Sequence, residues 1–139
     1  MNQVYTYNPL DVNVAMGNHI ASGFADDSFV NIEQKSDGVT SKTGCDGETV
    51  RSVSPDHTYG ITLTTHMYSP TNVYLTNMQK KDMDDGTGTF PIVIKDAVGG
   101  LVFSSECAWV DKVATVAYGK EAGNREWHIT AANGDHRQV

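Results

Sequence analysis

The stretch HTYGITLTTHM, His57 to Met67, constrains this chain more than any other. Tyr59, Ile61, Leu63, Thr65 and Met67 fall on one face of an extended backbone, and Thr58, Gly60, Thr62, Thr64 and His66 fall on the other. Side chains alternate with a period of two only in a strand, so this is a half-buried strand that needs partners. Val12, Val14 and Met16 alternate with Asp11, Asn13 and Ala15, and Val30 and Ile32 alternate with Asn31 and Glu33, which predicts two more strands. Val98-Gly99-Gly100 separates PIVIKD from LVFSSECAWV, and glycine pairs supply the positive φ of tight turns, so residues 90–109 are expected to form a hairpin. A second hairpin is expected to join 113–118 with 125–131 across GKEAGN, with Gly119 and Gly123 in the loop. Trp109, grouped with Leu101 and Phe103, and Trp127, grouped with Ile129, are expected in the core. Strict alternation also puts Cys107 on the face of Phe103 and Trp109, burying its thiol unless the strand is bulged.

One segment breaks the strand pattern. Ser69-Pro70 offers an N-cap followed by proline at the first helical position, Tyr74, Leu75 and Met78 recur at helical spacing, and Gly86 stops the run. A helix of about three turns is expected, covering one face or end of the sheets. Lys80 and Lys81 suit its C-terminal turn, whereas Asp82, Asp84 and Asp85 oppose the dipole unless they lie at or past its end. The polar run KSDGVTSKTGCDGETVR, Lys35 to Arg51, reads as an extended loop or an arm-like hairpin. Such a segment cannot repay its ordering entropy alone and can become ordered on a neighbouring subunit. Lys35, Asp37, Lys42, Cys45, Asp46, Glu48 and Arg51 are accordingly expected to make contacts between subunits. The fold class is mainly β: two packed antiparallel sheets, one short α-helix and a long extended loop, in a single domain over residues 1–139.

Seventeen acidic against ten basic residues give a formal charge of -7, which disfavours a broad phosphate-binding surface. MNQVYTYNPL has no basic segment leading into an apolar stretch, and no apolar run approaches the roughly 20 residues that span a bilayer, so a soluble chain without a classical export signal is expected. His19, His57, His66, His128 and His136 form neither HExxH nor a Cys/His cluster, and His66 and His128 sit on polar strand faces, which favours structural or surface roles over metal ligation. Asp82, Asp84, Asp85 and Gly86 fail as a calcium loop, since Gly86 and Val93 stand where an EF-hand needs acidic ligands. No GxSxG, cysteine nucleophile motif or phosphate-cradling loop is present, so neither an enzyme nor a cofactor is expected. Cys45 and Cys107 lack CxxC spacing and are too few for a disulfide scaffold.

Four segments together resemble a family of myovirus tail tube subunits: YNPLDVNVAMGNHIASGFADDSFVNIE, TGCDGETVRSVSPDHTYGITLT, SPTNVYLTNM, and the stretch from FPIVIKDAVGG through AYGKEAGNREWHI. The most specific pieces are Gly23-Phe24-Ala25-Asp26, Asp46-Gly47-Glu48, Phe90-Pro91, Lys95-Asp96, Gly119-Lys120-Glu121 and Gly123-Asn124-Arg125-Glu126-Trp127. The resemblance implies a tail-tube or Hcp-like β-barrel or sandwich that assembles as hexameric rings. The rings stack into the inner conduit for genome delivery within a contractile sheath. It implies a virion tail protein assembled in the host cytoplasm, with tail sheath, tape measure and baseplate proteins as partners, no membrane, and DNA passing through the lumen without specific binding. The family more often has a small residue where Cys45 stands and a residue other than Cys at 107. This departure raises a disulfide between Cys45 and Cys107 of different subunits, formed after the reducing cytosol is left.

Two alternatives stay open. One is an Hcp-like tube of a secretion system. The other is a monomeric β-sandwich module that binds glycans, which predicts a saccharide-dependent melting shift instead of rings or filaments.

Overall fold

A computed structural model describes residues 3–138. A short 3-10 turn, Pro9–Asp11, leads into β1 (Val12–Met16), β2 (His19–Ile20), β3 (Val30–Gln34), β4 (Val39–Thr43), β5 (Thr49–Val53) and β6 (Tyr59–His66). Then come α1 (Pro70–Asp85), β7 (Phe90–Asp96), β8 (Leu101–Lys112), β9 (Asn124–Ala132) and β10 (Asp135–Gln138). The expected class holds: among the described residues the strands are antiparallel, in two sheets, with one α-helix. The sheets are unequal. One has eight strands in the order β2-β1-β7-β8-β9-β6-β3, with β10 also on β8, and the other is the β4–β5 hairpin alone.

The eight-stranded sheet folds over on itself because β8 changes partners along one edge. There β10 pairs with Leu101–Ser104 and β9 with Cys107–Lys112, so β8 belongs to two layers in succession. The change occurs at a bulge. Against β7 the register moves from Phe90↔Ala108 to Ile92↔Ser105, which inserts one extra residue in β8. Ser105 stabilises it: its hydroxyl donates to the Ala132 carbonyl at 2.6 Å and accepts from the Cys107 amide at 3.3 Å. A bulge reverses side-chain parity. Phe103 and Ser105 point inward before it and Ala108 and Val110 after it, so Cys107 and Trp109 turn to the outer face and are only half-buried. This corrects two expectations, a core Trp109 and a Cys107 sharing the face of Phe103. Trp127, by contrast, is in the core as expected.

Between the layers Val14, Met16, Ile92, Ile94 and Phe103 meet Ile61, Leu63, Trp127 and Ile129 in one cluster. Tyr59 of β6 bridges the layers edge-on to Phe103, with ring centroids 5.1 Å apart. Burying a side chain of this kind is worth about 1.5–3 kcal/mol, so this cluster is the main source of stability. The alternation in β6 is as read: Ile61, Leu63 and Thr65 are buried. The 98–100 hairpin also forms, with Gly100 at φ 71. The second hairpin differs from expectation. Residues 113–118 form no strand; β8 itself runs on to Lys112 and pairs with β9, and 113–123 is an irregular connector.

The helix starts and stops where capping chemistry places it. The Ser69 hydroxyl accepts from the Thr71 amide at 3.2 Å, Pro70 occupies the first turn, and Gly86 ends the helix in the left-handed region at φ 74. At 16 residues it is longer than the expected three turns and runs on through Asp82, Asp84 and Asp85, against the dipole, to the Gly86 cap. Their side chains hold the turn beyond the helix end: Asp82 Oδ1 accepts from the Gly88 amide at 2.8 Å and Asp85 Oδ1 from the Thr87 amide at 3.1 Å. Both hydroxyl and amide of Thr87 hold the Asp85 carboxyl below its ordinary pKa. Gly88 passes so close to the helix that a Cβ there would stand 2.1 Å from the Met78 carbonyl oxygen. Leu75 is fully buried, and α1 lies against β2 and β8.

Candidate assembly surfaces

Asn72 fixes the helix to β6 and β9, neighbouring strands of one layer. Its Oδ1 accepts from Trp127 Nε1 at 2.9 Å and from the Thr65 hydroxyl at 2.6 Å, while its Nδ2 donates to the His66 carbonyl at 3.0 Å. Next to it the Thr71 hydroxyl accepts from the Ser22 amide at 3.0 Å, and the Ser69 hydroxyl donates to the Ser22 carbonyl.

The histidines are dispersed. His19 stacks on Tyr74 at 4.7 Å, its Nε2 lies 3.0 Å from the Thr71 hydroxyl, and burial raises the Tyr74 pKa above 10.0. His66 Nδ1 accepts from the Tyr68 amide at 3.2 Å, and His128 Nε2 lies 3.2 Å from Glu126. His136 edges against Tyr59 and Phe103. Among the described residues no three His, Cys, Asp or Glu side chains gather as a metal site. Among the same residues no helix is long and apolar enough to cross a membrane.

The arm is the feature that the body does not explain. It is the tip of the β3–β6 hairpin, bent out of the main sheet. At its base the Lys35 amide donates to the Thr58 carbonyl at 3.1 Å and the Ser54 amide to the Gly38 carbonyl at 2.8 Å. Asp56 ties the base together, accepting from Ser36 Oγ at 2.9 Å, the Thr58 hydroxyl at 2.7 Å and the Thr58 amide at 3.0 Å. Those bonds, Thr58 foremost, lower the Asp56 pKa below its ordinary 3.8. Beyond the base, every residue of β4 and β5 is exposed.

The residues expected on the arm divide accordingly. Lys42 and Arg51 lie on its strands, Cys45, Asp46 and Glu48 at its tip, and Asp37 at the bend. Lys35 stands at the base of the arm, and its side chain crosses Gly60 so that Nζ donates to the Thr130 hydroxyl at 2.7 Å. That hydroxyl also lies 2.8 Å from Asp111, so Lys35 is held by a polar cluster on the outer face. Cys45 is exposed and Cys107 half-buried, and both are free thiols. The bulge that turns Cys107 outward is signalled in sequence only by the polar run Ser104-Ser105-Glu106 inside an apolar strand.

A second surface was not anticipated. Ahead of β1, Val4 is 90%, Tyr5 83% and Leu10, in the 3-10 turn, 84% exposed. Large apolar residues exposed together in this way are a signature of contact with another surface.

Comparison with known proteins places this architecture. No protein-family model matches the chain. A structural protein, ORF10, of Pseudomonas phage KPP10 is 27% identical over 137 residues, covering 92% of this chain and 79% of that protein. Among solved structures, a chain of the anti-feeding prophage cap, which terminates the AFP tube, superposes with a TM-score of 0.65 at 13% identity, over 100% of this chain and 95% of that one. A chain of the PVC sheath/tube terminator, from an extracellular contractile injection system in its extended state, gives 0.67 at 13% identity, over 96% and 98%. A chain of the PVC sheath-tube complex gives 0.61 at 14%, over 97% and 93%. The chain shares its fold with all three.

Proposed function

We propose that this chain is a non-catalytic structural subunit of a phage tail tube, located in the virion tail. It forms hexameric rings that stack into the conduit through which the genome leaves, inside a contractile sheath. The observation that carries this reading is the end-to-end fold match to chains of contractile injection systems, joined to a phage structural protein as a sequence relative. The arm supports it, since a fully exposed two-stranded hairpin is only marginally stable in isolation and needs a partner to be ordered. Sheath, tape measure and baseplate proteins are the partners that such a tube requires. The acidic charge of -7 favours a surface along which DNA slides without sticking.

A second reading has its own support. Two of the three structures are a tube cap and a sheath/tube terminator, which favours a ring that ends the tube. Negative-stain images of the purified full-length protein separate the two. Hollow tubes of indefinite length support the tube subunit, single rings or short stacks support the terminator, and a monomer at every concentration contradicts both.

In an assembled particle, oxidation by dioxygen could join Cys45 of one copy to Cys107 of the next, the two thiols losing two protons and two electrons to the oxidant. Non-reducing electrophoresis of mature particles tests this. A ladder that collapses with reductant is the expected result, and a monomer band alone contradicts it.

A further inference from the structure

The folded-over sheet does not close. Where β3, an edge strand, passes β1, the end of β7 and the start of β8, it leaves a groove of about 470 Å³. Its apolar walls include Val12, Phe29, Val30, Ile32 and Leu101, and the acids on its lining are Asp27 and Asp96. It also exposes the outer edge of β3, which pairs with β6 alone among the described strands. An open edge beside apolar pockets is the geometry that accepts an added strand.

We propose that this groove receives the β4–β5 arm of a second copy of this chain, an inference that rests on the self-assembling role above. The argument is complementarity of charge and of face. Arg51 is the one charged residue on the strand face that carries Val39 and Val53; Lys42, opposite Val50, lies on the other face, and Asp46 and Glu48 stand at the tip. Arg51 makes no ion pair among the described residues. The register Val39↔Val53 and Ser41↔Arg51 places two valines and Arg51 on one face of the hairpin. Val39 is 46% and Val53 75% exposed in the free chain, so this face has apolar area to bury. Seated in the groove, the valines meet Val30, Ile32 and Leu101, and Arg51 meets the acidic lining.

Other occupants fit less well. The chain's own arm is tied to β3 and β6 at its base, Lys35 to Thr58 and Ser54 to Gly38, and none of its residues lines the groove. The N-terminal segment of a neighbour is apolar, but residues 3–10 carry no charge to match Asp27 and Asp96, and the chain's own Tyr7 already forms part of the groove wall.

The test compares full-length wild type, Arg51→Glu, Asp27→Arg and the double variant by sedimentation velocity, with circular dichroism to confirm folding. Each single reversal is expected to raise the concentration needed for assembly about tenfold or more, and the double reversal is expected to restore most of the loss. Arg51→Glu assembling like wild type, or a double variant no better than either single, overturns the inference while leaving the assembly reading intact. A wild-type chain that stays monomeric overturns the assembly reading itself. A mixing experiment locates the contact without relying on charge variants. In a Cys45→Ser, Cys107→Ser background, Val53→Cys protein is mixed with Asn31→Cys protein under oxidising conditions. A mixed disulfide dimer is expected. No such dimer, with Tyr5→Cys protein crosslinking to Asn31→Cys instead, assigns the groove to the N-terminal segment and refutes the arm.

Discussion

The body and the arm are built from the same secondary structure on opposite principles. In the body, strands from two layers enclose Trp127, Phe103, Ile61 and Leu63 at 2% exposure or less, and polar side chains inside it are paired. In the arm, all ten strand residues are exposed, and backbone pairing and one Thr43–Thr49 hydroxyl contact hold the hairpin together. Hydrogen bonds of that kind contribute only about 0.5–1.5 kcal/mol each net of water, whereas core burial dominates folding. The difference separates two roles within one chain: the body provides the fold, and the arm is stabilised by what it meets. Substitutions in the two regions should therefore behave differently in the free chain.

The largest effect is expected at the centre of the body. Trp127→Ala should cost about 3–5 kcal/mol in urea melts, since it empties a core site and removes one of the two donors to Asn72 Oδ1. Asn72→Leu should rank next at about 2–4 kcal/mol, because the Trp127 Nε1 and Thr65 hydroxyl donors both lose their acceptor in a dry setting. A loss under 0.5 kcal/mol would show that water or another residue replaces it. Gly88→Ala should cost about 1–3 kcal/mol, as the added methyl meets a helix carbonyl that cannot move freely. At the junction of body and arm, Asp56 links stability to pH. Its folded-state pKa lies below the ordinary 3.8, so its bonds to Ser36 and Thr58 are intact above that value and are lost as pH falls through the lowered one. Amide exchange at Thr58, corrected for intrinsic rate, should accelerate on that descent in wild type but show no such step in Asp56→Asn. The smallest effect is expected on the arm: Val53→Ala should change the melting of the free chain by less than about 0.5 kcal/mol while weakening assembly.

Much of this contrast is legible in the sequence. Alternation in β6 marks the correct buried face, Ser69-Pro70 and Gly86 mark the ends of α1, and the polar run after Lys35 marks a projecting hairpin. These are local signals, set by side-chain parity, capping and turn chemistry. What escapes depends on partners distant in sequence. The β8 bulge exists because Ser105 meets the Ala132 carbonyl of another strand, and it reverses the faces of Cys107 and Trp109. β10 reads as four polar, exposed residues, and only its pairing with Leu101–Ser104 makes it a strand. Lys35 stands at the base of the arm, and only the gap over Gly60 lets its side chain lie across the body to reach Thr130. The open groove is invisible in sequence for the same reason, since Asp27, Val30, Asp96 and Leu101 come together only when the sheet folds over.

The most direct test of the division between body and arm is sedimentation velocity on the full chain beside a variant in which residues 39–53 are replaced by a short Gly-Ser turn, at matched concentration and with matched thermal melts. The expected result is a variant that melts within a few degrees of wild type yet sediments as a monomer where wild type forms rings or tubes. A variant that assembles as readily as wild type, or one whose body no longer folds, would contradict the account.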